Sequence, residues 1–426
     1  MKITDLDIKI QKTLLAMAVA IAAMLLPAPL EAQITSPYSR YGYGILGDNA
    51  SSAQNQMGGT GYAMRSGRQI NAMNPASYSA CDSMTFIFDM GFDLLYYDRE
   101  DAGGRDSDWG GSLQYITMQV PIKKWIGMSA GLVPYSRVGY SFGSDISNGV
   151  ATHKGTGGIN NLYLGIGLEP IKNLSIGANV GYLFGNIVND VYATQSGGTA
   201  AIFEQMMEVR DYSLLFGAQY AIQWNRVDRI VLGVTYAPKK SFLGKTYITK
   251  YLQTTSTTTV PEVIAPGEVK LKNNFEQAET WGAGIAYDRG DRIHVEADFT
   301  FQPWSKAKYT QLENFTSTHL ADRWKIGVGG SIIPSLRGSY LKRIAYRLGA
   351  FYNRDYMVVR DNNHVRDWGV TAGFGFPALR SKTVINLGLE YHNRQATPVA
   401  LLKENYFQIN LGVNFNAVWF FQSKLR

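Results

Sequence analysis

The chain has 426 residues, a formal net charge of +7 and one cysteine, Cys81. One cysteine excludes an intramolecular disulfide, and no apolar run of ~18 residues follows the first stretch, which excludes a helical membrane domain. Hydrophobic residues make up 45%, and 26 Tyr, 19 Phe, 8 Trp and 44 Gly stand against 14 Pro, as in one large β-domain with only alternate residues facing an apolar medium.

Residues 1–32 read as a secretory signal peptide. Lys2, Lys9 and Lys12 form a basic lead, Thr13 to Pro27 an apolar stretch, and Leu30-Glu31-Ala32 ends on a small residue, so that cleavage leaves Gln33 first. Residues 33–82 follow, rich in Gly, Ser and Asn. Their centre, residues 57–79, has no period of 2 or 3.6 and reads as a plug. Cys81 closes this segment and reads as a buried, inert thiol. The excess positive charge sits in short turns and not in one stripe. It is expected to form a membrane-facing rim, and nucleic acid is not expected as a partner.

From residue 83 to 426 the chain alternates with period 2. Phe407, Ile409, Leu411, Val413, Phe415, Ala417 and Trp419 face one way; Gln408, Asn410, Gly412, Asn414 and Asn416 face the other. Leu174 to Phe184, Ile293 to Phe301 and Ile385 to Tyr391 repeat the pattern. Such strands are too long for an ordinary sandwich, and their non-apolar face holds Gly, Asn, Ser and scattered charge, as a crowded lumen would. The pattern predicts an all-β fold, a 14-stranded antiparallel transmembrane β-barrel with an N-terminal periplasmic or luminal hatch. The predicted strands are 83–97, 108–122, 125–142, 157–170, 173–185, 207–224, 227–248, 269–288, 291–304, 322–334, 343–358, 364–377, 382–394 and 404–421. Even-numbered connections are short and basic. Odd-numbered ones, at 98–107, 143–156, 186–206, 249–268, 305–321, 360–363 and 395–403, are longer. That parity belongs to outer-membrane barrels with short periplasmic turns and long external loops, and it places both termini in the periplasm.

On these residues the chain resembles the FadL-like family of outer-membrane transporters for hydrophobic compounds. The resemblance rests on the strand count, the Gly-rich lead with Gly58, Gly59, Gly61 and Asn74-Pro75-Ala76, the entry into strand one through Ser83-Met84-Thr85-Phe86, and the aromatic ending Trp419-Phe420-Phe421. Ser36-Pro37-Tyr38-Ser39-Arg40-Tyr41 and the ending are similar to the version found in Bacteroidota. The resemblance implies that the N-terminal segment is a hatch closing the lumen. It also implies a kinked third strand that leaves a lateral opening, here at Gly131, Pro134 and Tyr135, since a mid-strand Pro cannot donate to the ladder. A harmless bulge is the alternative reading of that proline. The third external loop carries Ile187, Val188, Val191, Tyr192 and Phe203 as an apolar patch. The fourth is Thr-rich with two prolines and lacks the family's helical stripe.

Chemistry for catalysis is not expected. Gly42-Tyr43-Gly44-Ile45-Leu46-Gly47 matches G-x-G-x-x-G but follows no strand of a βαβ unit, and Gly244-Lys245-Thr246 lacks the first Gly of a P-loop. His294, Glu296, Asp298, Lys325, Arg347, Glu390 and His392 are expected to form a polar network in the lumen that grips the plug, with no metal and no cofactor. Two functions follow: passive uptake of a hydrophobic small molecule through a hatch-closed lumen, or a non-transporting accessory barrel in an outer-membrane secretion or assembly complex. The partners implied are outer-membrane lipid, an apolar small molecule or other outer-membrane proteins.

Overall fold

The computed structural model describes residues 36–101, 103–146, 149–195, 200–253, 259–310, 319–359, 362–378 and 381–418. The signal-peptide reading of residues 1–32 and the aromatic ending at 419–421 lie outside them. The chain forms a closed antiparallel barrel of 14 strands. These are β1 (Thr85–Asp101), β2 (Gly104–Lys123), β3 (Ile126–Ile146), β4 (Gly149–Ile171), β5 (Leu174–Gln195), β6 (Ala200–Gln223), β7 (Asp228–Ala237, resuming at Gly244–Gln253), β8 (Thr259–Lys270, resuming at Thr280–Arg289), β9 (Ile293–Gln302), β10 (Arg323–Ile332), β11 (Ala345–Val359), β12 (Asn363–Pro377), β13 (Val384–Thr397) and β14 (Leu402–Val418). β14 closes on β1 in unbroken register from Leu402↔Asp101 to Val418↔Thr85.

The alternation sets the two faces. On β14, Phe407 and Phe415 keep 53% and 47% of their surface exposed on the outside, whereas Asn410, Asn414 and Asn416 are buried inside. An outer face of Val, Leu, Ile, Phe and Trp belongs in lipid. Closure pairs strand edges that lipid could not satisfy.

The long connections expected from composition are shorter than predicted. Residues 186–206 are not a loop: β5 continues to Gln195 and β6 begins at Ala200, paired from Gly185↔Val209 to Thr194↔Ala200. Residues 98–101 and 104–107, 143–146 and 149–156, and 249–253 and 259–263 likewise continue as paired strand. A spanning strand needs only ~9–11 residues, so β4, β5 and β6, with 23, 22 and 24, rise well past the membrane on one side of the barrel.

Residues 36–82 fill the lumen. They run from the end carrying the longer connections to the short-turn end. Ser36 bonds Gly139 (N to O, 2.8 Å) and Tyr38 donates its hydroxyl to Leu402 O near the first. The 3₁₀ turn Pro75–Ala80 packs on Gly127, Gly167 and Gly177 near the second. The expectation that both termini are periplasmic falls on residues outside the described ones. Val418 is at the short-turn end, but Ser36, the first described residue, is at the opposite end. Parity counts only strands, and could not register a lead that threads the lumen first.

Candidate functional site

The plug is held because its backbone has no ladder of its own and must be satisfied by side chains. A capping box at Ser51 starts the short helix Ser52–Asn55, with Ser51 N donating to Gln54 Oε1 at 2.8 Å. Asn71 then ties the next turn, its Nδ2 donating to Gly61 O (2.6 Å) and Met64 O (3.0 Å). Asn74 accepts from Ala76 N (3.1 Å) and donates to Tyr62 O (2.7 Å), capping the turn that Pro75 begins.

The strand walls supply the rest. On β9, Glu296 Oε1 accepts from Ala63 N (2.6 Å) and Met64 N (3.1 Å), and Asp298 Oδ2 from Gly61 N (2.6 Å) and Tyr62 N (2.9 Å). His294 does not reach the plug. It bridges Asp288 (2.6 Å) and Glu296 (3.0 Å) and so orients the clasp. Arg347 donates to Gln56 Oε1 at 2.8 Å, and Gly58 N to Thr371 Oγ1 at 2.9 Å. Gly59, with φ +72°, lies against Lys325. Glu390 and His392 stand apart from these. They bond each other at 3.0 Å in a cluster with Asp367, Arg394 and Glu404, which meets the plug at Ser36, whose hydroxyl donates to Glu404 at 2.8 Å.

Sequence reasoning missed Asp48, the most strongly paired plug carboxylate. It bridges Arg323 (2.8 Å) and Lys325 (2.6 Å). Burial pushes its carboxyl up, but the two cations outweigh burial and hold it well below the ordinary carboxylate range. Its 30% side-chain exposure is to an internal cavity. With a lowered folded value, its contribution is complete above the ordinary value of ~3.9 and is lost only as pH falls through the folded one. Asp48→Asn is thus expected to destabilise the plug by about 3 kcal/mol, since Arg323 is left buried without its counter-charge. On heat-modifiability gels the variant should melt lower than the wild type by the same margin at pH 7 and at pH 5. Equal melting of variant and wild type would refute the clasp. Cys81, at the exit from the plug, is buried, and burial pushes its thiol up to about 11.

Both ends of the lumen are shut. Towards the longer connections, Tyr43 is fully buried among Phe242 (5.0 Å between ring centroids), Tyr309 (5.2 Å) and Trp304 (5.7 Å), and its N–H donates to the Tyr356 hydroxyl. At the other end Tyr78 is buried against Gly127 and Gly165. Between them lies a cavity of about 190 Å³, lined by Asp48, Asp93, Asp355, Asp367 and Glu390 and by Arg137, Arg323, Lys325 and Arg394.

The cavity reaches the wall where β2 and β3 part. Their pairing runs only from Lys123↔Ile126 to Ile116↔Leu132, next to Gly131. Pro134 follows, and the β3–β4 register shifts between Pro134 and Ser136, with Tyr135 as the bulged residue. The external apolar set is not one patch. Ile187 is buried on the inner face among Met207, Val209 and Ile248, with Val191 and Phe203 paired on that same face, whereas Val188 and Tyr192 take the alternate positions. A loop could have gathered all five, but a strand divides them by parity.

The architecture is similar to solved channels. The Pseudomonas putida toluene transporter TodX matches with a TM-score of 0.60 at 16% identity, covering 88% of this chain and 100% of that one. The CymD monoaromatic hydrocarbon channel matches at 0.59 and 14%, covering 87% and 98%. A Pseudomonas aeruginosa FadL homologue matches at 0.57 and 11%, covering 87% and 99%. At these identities the likeness shows the fold, a FadL-like outer-membrane barrel. No curated protein matches the chain. The BamG family model matches residues 10–426, nearly the whole chain, and the chain belongs to the BamG family.

Proposed function

We propose that this protein is a non-enzymatic accessory barrel of the BAM assembly complex in the outer membrane, and that its lumen is a sealed scaffold. The observation that carries the reading is the charged cavity. An apolar solute there would have to strip water from Asp93, Asp355, Glu390 and their cationic neighbours with nothing to replace it, which costs several kcal/mol per group. The family's name and the aromatic seal around Tyr43 support the same reading. Its partners are then outer-membrane lipid around the apolar outer face and other outer-membrane proteins.

The test is affinity purification from detergent extract followed by native mass spectrometry. Stoichiometric recovery with the large barrel-assembly subunits is expected. Recovery as a solitary barrel carrying lipid or aromatic hydrocarbon would overturn the reading. One observation favours a second reading, lateral exit of an apolar substrate at Gly131, Pro134 and Tyr135: the β2–β3 ladder ends there. Its support ends at the slot itself, because the space behind it is charged.

A further inference from the structure

Above Ile116↔Leu132 the two strands bordering the slot go separate ways. β2 continues on β1 to Asp101↔Gly104, and β3 keeps β4 as its barrel neighbour to Ile146↔Gly149. Arg137 spans the gap, with Nη1 on Asp93 (3.1 Å) and Nη2 on Leu113 O (3.1 Å). The β3 edge is not bare. The chain's own lead lies along it as an antiparallel strand, in register at Ile45↔Arg137 and Leu46↔Ser136. Gly47 N donates to Tyr135 O (2.9 Å) and Ser36 N to Gly139 O (2.8 Å).

The side chains of this resident strand are read individually. Tyr43 enters the aromatic pocket, Ile45 packs on Leu95, Tyr97 and Tyr406, and Asp48 takes its two cations. A Cβ at Gly44 would lie 2.3 Å from Arg137 O, and one at Gly47 2.3 Å from Pro134 O. Gly44 also holds φ +87°. The Gly-x-Gly-x-x-Gly spacing thus serves close approach of one backbone to another and no nucleotide.

We propose that the β2–β3 slot is a strand-acceptor site, held shut by residues 36–48, and that an extended segment of a partner polypeptide with the pattern aromatic-Gly-apolar-apolar-Gly-acidic takes their place. The partner half rests on the assembly-complex reading above. Backbone edges accept any extended chain, and the pockets supply the choice. Two register pairs join the resident strand to β3, against the long ladders of its neighbours, so its backbone pairing is among the shortest in the wall and readily exchanged. Being tethered, it competes at an effective concentration of ~mM, so a free peptide binds well only once the resident strand is loosened.

The test uses the full chain in detergent and a fluorescent peptide of residues 36–48, with a scrambled control. Gly44→Val should bind the peptide at least tenfold more tightly than the wild type. Leu46→Cys with Ser136→Cys, made in a Cys81→Ser background and oxidised, should bind none and recover wild-type binding on reduction. Equal peptide binding by the oxidised form and Gly44→Val overturns the acceptor site. So does the absence of binding to Gly44→Val when its Gly47 amide is seen to exchange freely. If Gly44→Val does not fold, hydrogen exchange on the wild type decides. The Gly47 and Ser36 amides should exchange at least tenfold faster than those of the β3–β4 ladder, and equal rates overturn the proposal. Peptide binding without co-purified assembly subunits sinks the assembly reading and leaves the site. Co-purification undiminished by the oxidised staple overturns the partner half.

Discussion

Replacing Glu296 and Asp298 together by alanine is expected to release the plug while leaving the barrel closed. The two buried carboxylates accept four consecutive plug N–H groups, from Gly61 to Met64. Their loss leaves the Gly61, Tyr62 and Ala63 donors buried without partners, at about 1–3 kcal/mol each, while Met64 N keeps its 3.3 Å bond to Gly61 O, so the pair should cost at least about 3 kcal/mol. The readout is trypsin cleavage after Arg65, whose side chain is only 8% exposed and is tied to Glu169 at 2.7 Å. The variant should be cut there while its barrel still resists unfolding in cold SDS. Glu296→Gln with Asp298→Asn keeps one acceptor oxygen per side chain and should retain most of the protection. Protection of Arg65 in the alanine pair would show that the clasp does not hold the plug.

Wedging the plug from the wall should have the second large effect, on permeability. Where the plug backbone comes closest to the barrel wall, several inward positions are glycine. A Cβ at Gly329 would sit 2.1 Å from Met57 O, and one at Gly177 2.4 Å from the Pro75 carbonyl carbon. Neither neighbour is the flexible end of a side chain, so Gly329→Val with Gly177→Val must displace the plug backbone. Ordinary overpacking costs about 1–3 kcal/mol, and two backbone collisions should exceed that. The wild type should give no conductance in a planar bilayer, the double variant should give open steps, and cells carrying it should become sensitive to large antibiotics. Gly143→Ala, with no neighbour closer than 3.8 Å, is the silent control. A double variant as tight as the wild type would mean that something other than this contact closes the lumen.

Both expectations bear on what a FadL-like barrel is kept for. In this chain the lumen is a core: carboxylates meet plug amides, Asp48 meets Arg323 and Lys325, and aromatic rings close one end. A conduit for apolar solutes needs the opposite lining. The outer wall, by contrast, offers a tall one-sided sheet and a slot whose strand is replaceable, features suited to contact with other polypeptides.

Much of this was legible in the residues. The alternation in β14 and β5 is local, so it named the faces, the strand count and most strand positions to within a few residues. Asn74-Pro75-Ala76 was legible as a capped turn, because a cap and a turn are also local. The upper parts of β5 and β6 were not legible. Once a strand leaves the membrane its outer face no longer needs to be apolar, and Asp190 and Glu204, paired on that face, disguise paired strand as loop. Nor was the division of Ile187 from Val188, which depends on that pairing.

Sequence alone thus determined a closed 14-stranded outer-membrane barrel preceded by a polar, glycine-rich segment, because alternation, turn length and capping act over a few residues. Only the tertiary structure decided where that segment runs, which carboxylates seize it and that its Gly-x-Gly-x-x-Gly stretch fills a slot in the wall. Asp48 and Arg323 are 275 residues apart, and Ser36 and Glu404 are 368 apart. Such pairs are chosen by the register of a closed barrel, and no local pattern in the chain encodes it.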